Sequence, residues 1–149
     1  MEITKLEGED KKLYELVAHL AMNGEVLAYN LNYPYKTSEA HLWFVATDND
    51  NVIGFIPVKR EGGIAKVNNY YVVDDDHAVF AALLKEVINT LSVDFDIESI
   101  TQVRHVPDFE QNGFAVMFYW KRYAKMRAFK KNEEERVRTD DAKNRGTVQ

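Results

Sequence analysis

The chain has 149 residues and a mass of 17.3 kDa, with 46% hydrophobic and 29% charged residues. This length and mixture suit one domain with a single core, which needs neither a metal nor a disulfide for stability. Because the chain has no cysteine, thiolate metal sites, iron–sulfur clusters and a cysteine nucleophile are excluded.

The formal net charge of −5 is unevenly distributed. Residues 127–149 carry seven basic against five acidic residues, whereas residues 1–126 carry twelve against nineteen. Nucleic-acid binding depends on neutralising phosphates, so this acidic body predicts no nucleic-acid partner. The first residues lack the order of a secretory signal, and no apolar run approaches the ~20 residues that span a bilayer. We therefore expect no membrane partner and a cytoplasmic location.

The first 40 residues predict an edge strand, a helix and a loop. Met1 to Leu6 alternates weakly between polar and apolar residues, as an edge strand does. An amphipathic helix follows, with Asp10 placed as its N-cap. Its apolar residues are Leu13, Leu16, Val17 and Leu20. Residues 22–40 predict a short helix and then a loop rich in tyrosine and asparagine.

A three-stranded meander comes next. Strands at Leu42–Thr47 and Val52–Val58 flank the turn-forming residues 48–51, which predicts a hairpin. A second turn at Gly62-Gly63 leads into a third strand, Ile64 to Val73.

The second half begins with a helix from His77 to Leu91, which has a full apolar face and Asp76 as its N-cap. A strand from Ile97 to Val106 is predicted after it. A short turn or helix over residues 107–112 ends at Gly113, and a last strand runs from Phe114 to Tyr123.

Apolar residues become sparse after residue 126. We expect a domain over residues 1–126, followed by a charged tail over residues 127–149 that is partly helical or disordered.

Over residues 1–126, this order of elements resembles the GNAT superfamily of N-acetyltransferases. The residues that carry the resemblance are the turn-linked strands, the strand-to-helix passage Tyr71–Val87 with its Leu83-Leu84 pair, and the segment Phe109–Phe114. That last segment is similar to the Tyr-x-x-x-Gly-Phe element of the family. The resemblance implies an α+β fold, with a mixed, mostly antiparallel central sheet flanked by helices.

The family holds acetyl-CoA where its fourth strand splays from its fifth. The pyrophosphate rests on backbone N–H groups of a Gln/Arg-x-x-Gly-x-Gly/Ala loop that opens the next helix. This chain has Asp74-Asp75-Asp76 there, without glycine and with three carboxylates that repel a diphosphate, so the motif is degenerate. The cofactor-binding residues that the resemblance implies are Tyr71, Val72, Val73, His77, Ala78 and Val79.

A catalytic acid is missing from its usual place. Many members have a tyrosine four residues before Gly-Phe, where this chain has Phe109, which cannot donate a proton. The acid is therefore Tyr119, Tyr123 or a water, and Glu61 or Asp74 is the candidate near the amine. The loop that frames the acceptor in the family implies three substrate-binding candidates, which alternatively cover the sheet edge. They are Tyr29, Tyr33 and Tyr35.

The remaining polar clusters predict no metal site. The four histidines are dispersed without metal-ligand spacing, and the three consecutive aspartates favour helix capping over cation binding. His77, beside these aspartates, is the histidine with the best functional prospects.

Two functions follow. One is acetyl transfer from acetyl-CoA to an amine, for which an acidic body favours a cationic acceptor such as a polyamine or a lysine-bearing protein. The alternative is an inactive GNAT-fold protein that acts as a protein-binding or structural module. Its binding surface would be the tail or the strand aromatics, with a homodimer as one outcome; such degenerate members are familiar among phage products. The aromatics are Trp43, Phe118, Tyr119 and Trp120. A different α+β domain is the third possibility.

Overall fold

A computed structural model describes residues 1–128. The strands are β1 (Glu2–Glu7), β2 (His41–Asp48), β3 (Asn51–Glu61), β4 (Ile64–Val67), β5 (Tyr71–Val72), β6 (Asp96–Gln102), β7 (Phe114–Tyr119) and β8 (Tyr123–Ala128). The helices are α1 (Lys11–Ala21), α2 (Gly24–Tyr29), α3 (His77–Leu91) and α4 (Val106–Gln111). Two 3-10 turns cover Val73–Asp75 and Val103–His105.

The strands form one sheet in the order β1-β2-β3-β4-β6-β8-β7, and β5 pairs with β3 alone. The β4–β6 pair is parallel and the other pairs are antiparallel. The predicted α+β fold with a mixed, mostly antiparallel sheet is confirmed, and β1 is the edge strand that the sequence predicted.

Local chemistry explains where the elements begin and turn. The Asp10 carboxylate accepts a hydrogen bond from the Lys12 N–H (2.9 Å), so the predicted cap of α1 is confirmed. The β2–β3 turn has two residues in the left-handed region, Asn49 (φ 49°) and Asp50 (φ 67°), as a two-residue hairpin with type I′ geometry requires. Gly62-Gly63 meets the same requirement between β3 and β4.

Two apolar layers cover the sheet unequally. On one face, α3 packs its apolar residues, among them Phe80, Leu83 and Leu84, over the central strands. On the other face, α1 and α2 pack against residues of β1, β2 and β3, among them Trp43 and Phe55. That second buried cluster contains no residue of β4, β6 or β8, so this part of the face lies beyond the two helices.

Three predicted strands need correction. The third strand of the meander is interrupted at residues 68–70, so it forms β4 and β5. The strand predicted to reach Val106 ends at Gln102, where the chain enters a 3-10 turn. The predicted last strand ends at Tyr119, and a turn leads from it into β8, which begins at Tyr123. A hydrogen bond from the Trp120 N–H to the Tyr123 carbonyl (2.7 Å) closes this hairpin. The sequence hid this turn because Trp120-Lys121-Arg122 contains none of the usual turn-forming residues.

The second strand of that hairpin, β8, inserts between β6 and β7 and runs to Ala128, two residues past the predicted domain boundary. The rest of the predicted tail, residues 129–149, lies outside the described residues. Within residues 1–128, no helix has both the length and the apolar character needed to cross a membrane.

Candidate functional site

The sheet opens between β5 and β6. The parallel strands β4 and β6 pair as far as Val67 and Ser99. Beyond that point, Tyr71 and Val72 pair with β3 instead. This is the position at which the resemblance places acetyl-CoA, so what lies between the separating strands decides whether the cofactor fits.

The side chain of Tyr70 spans this gap. It is 2% exposed, and its hydroxyl accepts a hydrogen bond from the Gln102 N–H (3.1 Å) and lies 2.6 Å from Nδ1 of His105. The Tyr70 carbonyl accepts a hydrogen bond from the Tyr35 hydroxyl (3.3 Å). The Tyr70 hydroxyl thus satisfies a main-chain N–H on one side of the gap, and the Tyr35 hydroxyl donates to a main-chain carbonyl on the other side.

His105 extends this contact into a network of buried polar groups. Its ring is 1% exposed, and Nε2 lies 2.8 Å from an Asp75 carboxylate oxygen. The Tyr29 hydroxyl donates to the same oxygen (2.6 Å). With the proton on Nε2, His105 donates to Asp75 and accepts from Tyr70, so both ring nitrogens are satisfied. We call Tyr29, Tyr70, Asp75 and His105 the gap network.

The charge states of the gap network follow from burial and contacts. Burial lowers the pKa of His105 below its ordinary 6.5, although Asp75 opposes this shift. Burial disfavours ionisation of Asp75, but hydrogen bonds from Tyr29 and His105, and the charge of Arg104, hold its pKa below 3.8. Burial is the main cause of the raised pKa of Tyr29 and of Tyr70. At neutral pH the network therefore contains a neutral imidazole, a carboxylate and two protonated phenols.

Aromatic rings fill the space around the network. Tyr29 stacks on the His105 ring with centroids 5.5 Å apart. Phe80 and Phe109 lie 5.8 and 5.3 Å from the Tyr70 ring, and both are fully buried. The gap is consequently part of the packed interior.

The side chain of Asp76 caps the start of α3. The Asp76 carboxylate accepts hydrogen bonds from the N–H groups of Ala78 (2.9 Å) and Val79 (3.3 Å), as the sequence predicted. Asp74 and Asp75 both lie in the left-handed region, with φ of 55° and 50°. Two of the N–H groups at the start of α3 are thus bonded to a carboxylate.

A separate open pocket of about 510 Å³ lies over the sheet face that α1 and α2 leave uncovered, beside the loop that follows α2. The residues that line it are Asn30, Tyr33, Pro34, Lys36, His41, Pro57, Lys59, Lys66, Asn68, Asn69, Ile100 and Tyr123. Three of them are lysines, and none of these described lining residues is acidic.

Solved structures share this architecture at low sequence identity. Escherichia coli ElaA superposes with a TM-score of 0.69 at 14% identity, covering 87% of this chain and 100% of its own. The Thermoplasma acidophilum PaiA N-acetyltransferase, solved with coenzyme A, gives 0.61 at 16% identity over 86% and 99%. A GNAT-family acetyltransferase from Streptococcus pneumoniae gives 0.54 at 15% identity over 85% and 96%. The chain has the GNAT fold.

At the level of sequence, no protein-family model and no curated protein matches the chain. The expected GNAT fold is therefore confirmed by three-dimensional structure rather than by sequence similarity.

The residues at the GNAT-fold cofactor position are bonded to one another. The strand gap contains the buried Tyr70–His105 pair, which a pantetheine arm would have to displace. The first N–H groups of α3 are bonded to Asp76, and three neighbouring carboxylates oppose a pyrophosphate.

The six residues that the resemblance assigned to the cofactor therefore have other surroundings. Tyr71 packs against the rings of Tyr29 and Phe55, with centroids 5.1 and 5.6 Å away. Val72 is buried in the core, Val73 begins the 3-10 turn, and Ala78 and Val79 donate to the Asp76 cap.

His77 is exposed and bonds to Asp108 (2.5 Å), and this hydrogen bond is the main reason that its pKa is raised. Among residues 1–128, no group of His, Asp or Glu side chains is arranged to hold a metal ion.

The structure disperses the candidate catalytic residues. Tyr119 is 59% exposed on the β7–β8 hairpin, and Glu61 pairs with Lys59 (3.1 Å) at the end of β3. Tyr123 lines the open pocket together with Tyr33. Burial raises the pKa of Tyr123.

The other substrate candidates lie inside the fold. Tyr29 belongs to the gap network, and the Tyr35 hydroxyl donates to the carbonyls of Val26 (3.0 Å) and Tyr70. Of the strand aromatics, Trp43 is buried, whereas the β7–β8 hairpin exposes the other three. The sequence pattern singled out neither Tyr70 nor the pocket lysines, and it did not separate His105 from the other dispersed histidines.

Proposed function

We propose that this chain is a GNAT-fold binding protein that does not use acetyl-CoA as a cofactor. The observation that carries the proposal is Tyr70, which bridges the separated strands through the Gln102 N–H and His105. Opening this bridge would leave a buried imidazole nitrogen and a buried N–H without partners, at a cost of about 1–3 kcal/mol for each group. Cofactor binding would have to offset that cost.

The start of α3 supports the same proposal. An anion at a helix N-terminus is stabilised by free N–H groups and the helix dipole. Here the Asp76 carboxylate is that anion, and Asp74 and Asp75 add negative charge on the same turn. A pyrophosphate would need to displace one carboxylate and approach two more.

The catalytic candidates among residues 1–128 lie apart from one another, which also favours binding over chemistry. Phe109 is fully buried at the position where many GNAT enzymes have an acidic tyrosine. Of the catalytic candidates, Tyr123 lines the open pocket, but Tyr119 and Glu61 do not belong to its lining.

Acetyl transfer to an amine is the second candidate function. It is favoured by the strand separation after Val67 and Ser99, which this chain keeps, and by the structural neighbour solved with coenzyme A. In that case Tyr123, protonated at neutral pH and facing the open pocket, is the best-placed proton donor.

Calorimetric titration of the full chain with acetyl-CoA and with free CoA separates the two candidates. A binding protein that does not use the cofactor gives no saturable heat at millimolar ligand, while an active GNAT enzyme titrated in parallel confirms the ligand stocks. Saturable binding in the micromolar range would overturn the proposal and justify a screen of amine acceptors.

A further inference from the structure

A row of ionisable side chains crosses the sheet at the open pocket. His41 on β2 lies opposite Lys59 on β3, and Lys59 lies opposite Lys66 on β4. Lys66 in turn lies opposite Glu98 on β6. Residues directly opposite one another in a sheet project from the same face. The row therefore places two lysines side by side at the pocket, with a histidine next to them.

Two like charges directly opposite each other destabilise a sheet. The Lys59–Lys66 pair is relieved in part, because Lys59 pairs with Glu61 (3.1 Å). Glu98, opposite Lys66, also pairs with Lys125 (3.8 Å). Each of the two carboxylates thus lies beside a lysine, and neither lines the pocket.

The lining of the pocket strengthens the positive charge. Lys36 comes from the loop after α2 and joins Lys59 and Lys66. Counting Lys125 and both carboxylates, the pocket and its edge carry four lysines against two glutamates, whereas the whole chain has a net charge of −5. An acidic protein thus has a cationic concave surface, which attracts ligands of negative charge.

Burial and the neighbouring positive charges keep His41 in its neutral form. Burial lowers its pKa below 6.5, and the charges of Lys59 and Arg60 lower it further. Arg60 itself pairs with Glu7 (2.6 Å). The imidazole, whose Nδ1 lies 2.7 Å from the Ser38 hydroxyl, is therefore neutral at pH 7 and offers a hydrogen bond rather than a charge.

The remaining walls combine apolar surface with the amides of Asn30, Asn68 and Asn69. Pro34, Pro57 and Ile100 supply aliphatic surface, and the rings of Tyr33 and Tyr123 supply aromatic surface. The volume of about 510 Å³ falls within the range of roughly 300–1,000 Å³ that is typical of small-molecule sites.

We propose that the pocket binds a small organic anion, with a phosphate or carboxylate group held by Lys36, Lys59 and Lys66 and a flat apolar body against the prolines and tyrosines. This inference deepens the proposed binding function by naming its ligand class. An anionic ligand takes the place of the cationic acceptor that the net charge favoured. The lysines that line the pocket, rather than the net charge of the chain, determine which ligand charge is attracted there.

The test uses the full chain and three probes of similar shape: phenyl phosphate, benzoate and neutral benzyl alcohol. Two-dimensional amide NMR follows each titration. We expect saturable shifts at pocket residues with phenyl phosphate or benzoate, little effect of benzyl alcohol, and weaker binding at higher salt. The stronger of the two anions identifies the head group.

Substitutions locate the site. Lys66→Gln is expected to weaken anion binding about tenfold, since a hydrogen bond between charged groups is lost. Lys85→Gln removes the same charge from the exposed side of α3, beside a different surface, and is expected to leave binding unchanged. Equal binding of benzyl alcohol, equal effects of the two substitutions, or no saturable shifts in the wild type would each overturn the proposal.

The CoA titration keeps this inference distinct from the proposed function. If CoA binds in the micromolar range, the proposal of a cofactor-independent protein fails, while the phenyl phosphate titration still decides the anion pocket. If CoA gives no heat and the small anions do not bind, the ligand class alone is wrong.

Discussion

The hydroxyl of Tyr70 lies 2.6 Å from Nδ1 of His105, which is 35 positions later in the chain. This contact joins the segment between β4 and β5 to the turn that follows β6, across the place where the two strands separate. The contact is buried, so the gap between these strands is part of the protein interior.

Replacing Tyr70 with phenylalanine tests the importance of that contact. Tyr70→Phe keeps the ring but leaves the Gln102 N–H and the His105 Nδ1 without their partner. We expect the free energy of unfolding to fall by about 2–6 kcal/mol, from about 1–3 kcal/mol for each of the two groups, as measured by urea denaturation. Tyr33→Phe removes a hydroxyl from a ring that is 65% exposed and serves as the control. Equal stabilities of the two variants would contradict a structural role for the bridge.

His105 makes the protein sensitive to acid. Burial holds its pKa below 6.5 in the folded state, so the unfolded chain binds the proton more tightly. The free energy of unfolding is therefore expected to decrease as the pH falls from 6.5 through the folded pKa. The lowered pKa of Asp75 acts in the same direction below about pH 3.8. An NMR titration of the His105 ring checks this, and a folded-state pKa at or above 6.5 would show that the ring is not buried as a neutral imidazole.

His77 is expected to respond in the opposite direction. Its hydrogen bond to Asp108 raises its pKa above 6.5, so the contribution to stability is present below pH 6.5 and is lost as the pH rises through the folded pKa. Asp108→Asn is expected to lower the pKa of His77 in an NMR titration. Asp94→Asn, beyond the other end of α3, should not change it; the same shift in both variants would exclude the specific pair.

The cap of α3 provides a further test. Asp76→Ala removes the acceptor for the N–H groups of Ala78 and Val79 and is expected to cost about 1 kcal/mol of stability. Asp76→Ser retains a capping oxygen and should recover most of that loss. Thermal or urea unfolding measures both. If serine were as destabilising as alanine, the role of Asp76 would lie in its charge rather than in the cap.

The parts of this protein that its sequence determined by itself are those set by neighbours in the chain. The spacing of Leu13, Val17 and Leu20, together with the Asp10 cap, was sufficient to predict α1. The apolar face that follows Asp76 did the same for α3. Helix periodicity, capping and two-residue turns act over a few residues, so they can be identified without knowledge of the fold.

Only the tertiary structure decided the candidate site. The predicted strand from Phe114 to Tyr123 ends at Tyr119, and the chain turns back so that β8 pairs with both β6 and β7. The tertiary structure also brought Tyr70 and His105 together and set Lys59 against Lys66. These contacts join residues whose spacing carries no periodic signal, and burial and strand register arise only when the whole sheet has formed. The sequence could therefore indicate the GNAT fold and its degenerate loop, while the closed gap and the cationic pocket became visible only in three dimensions.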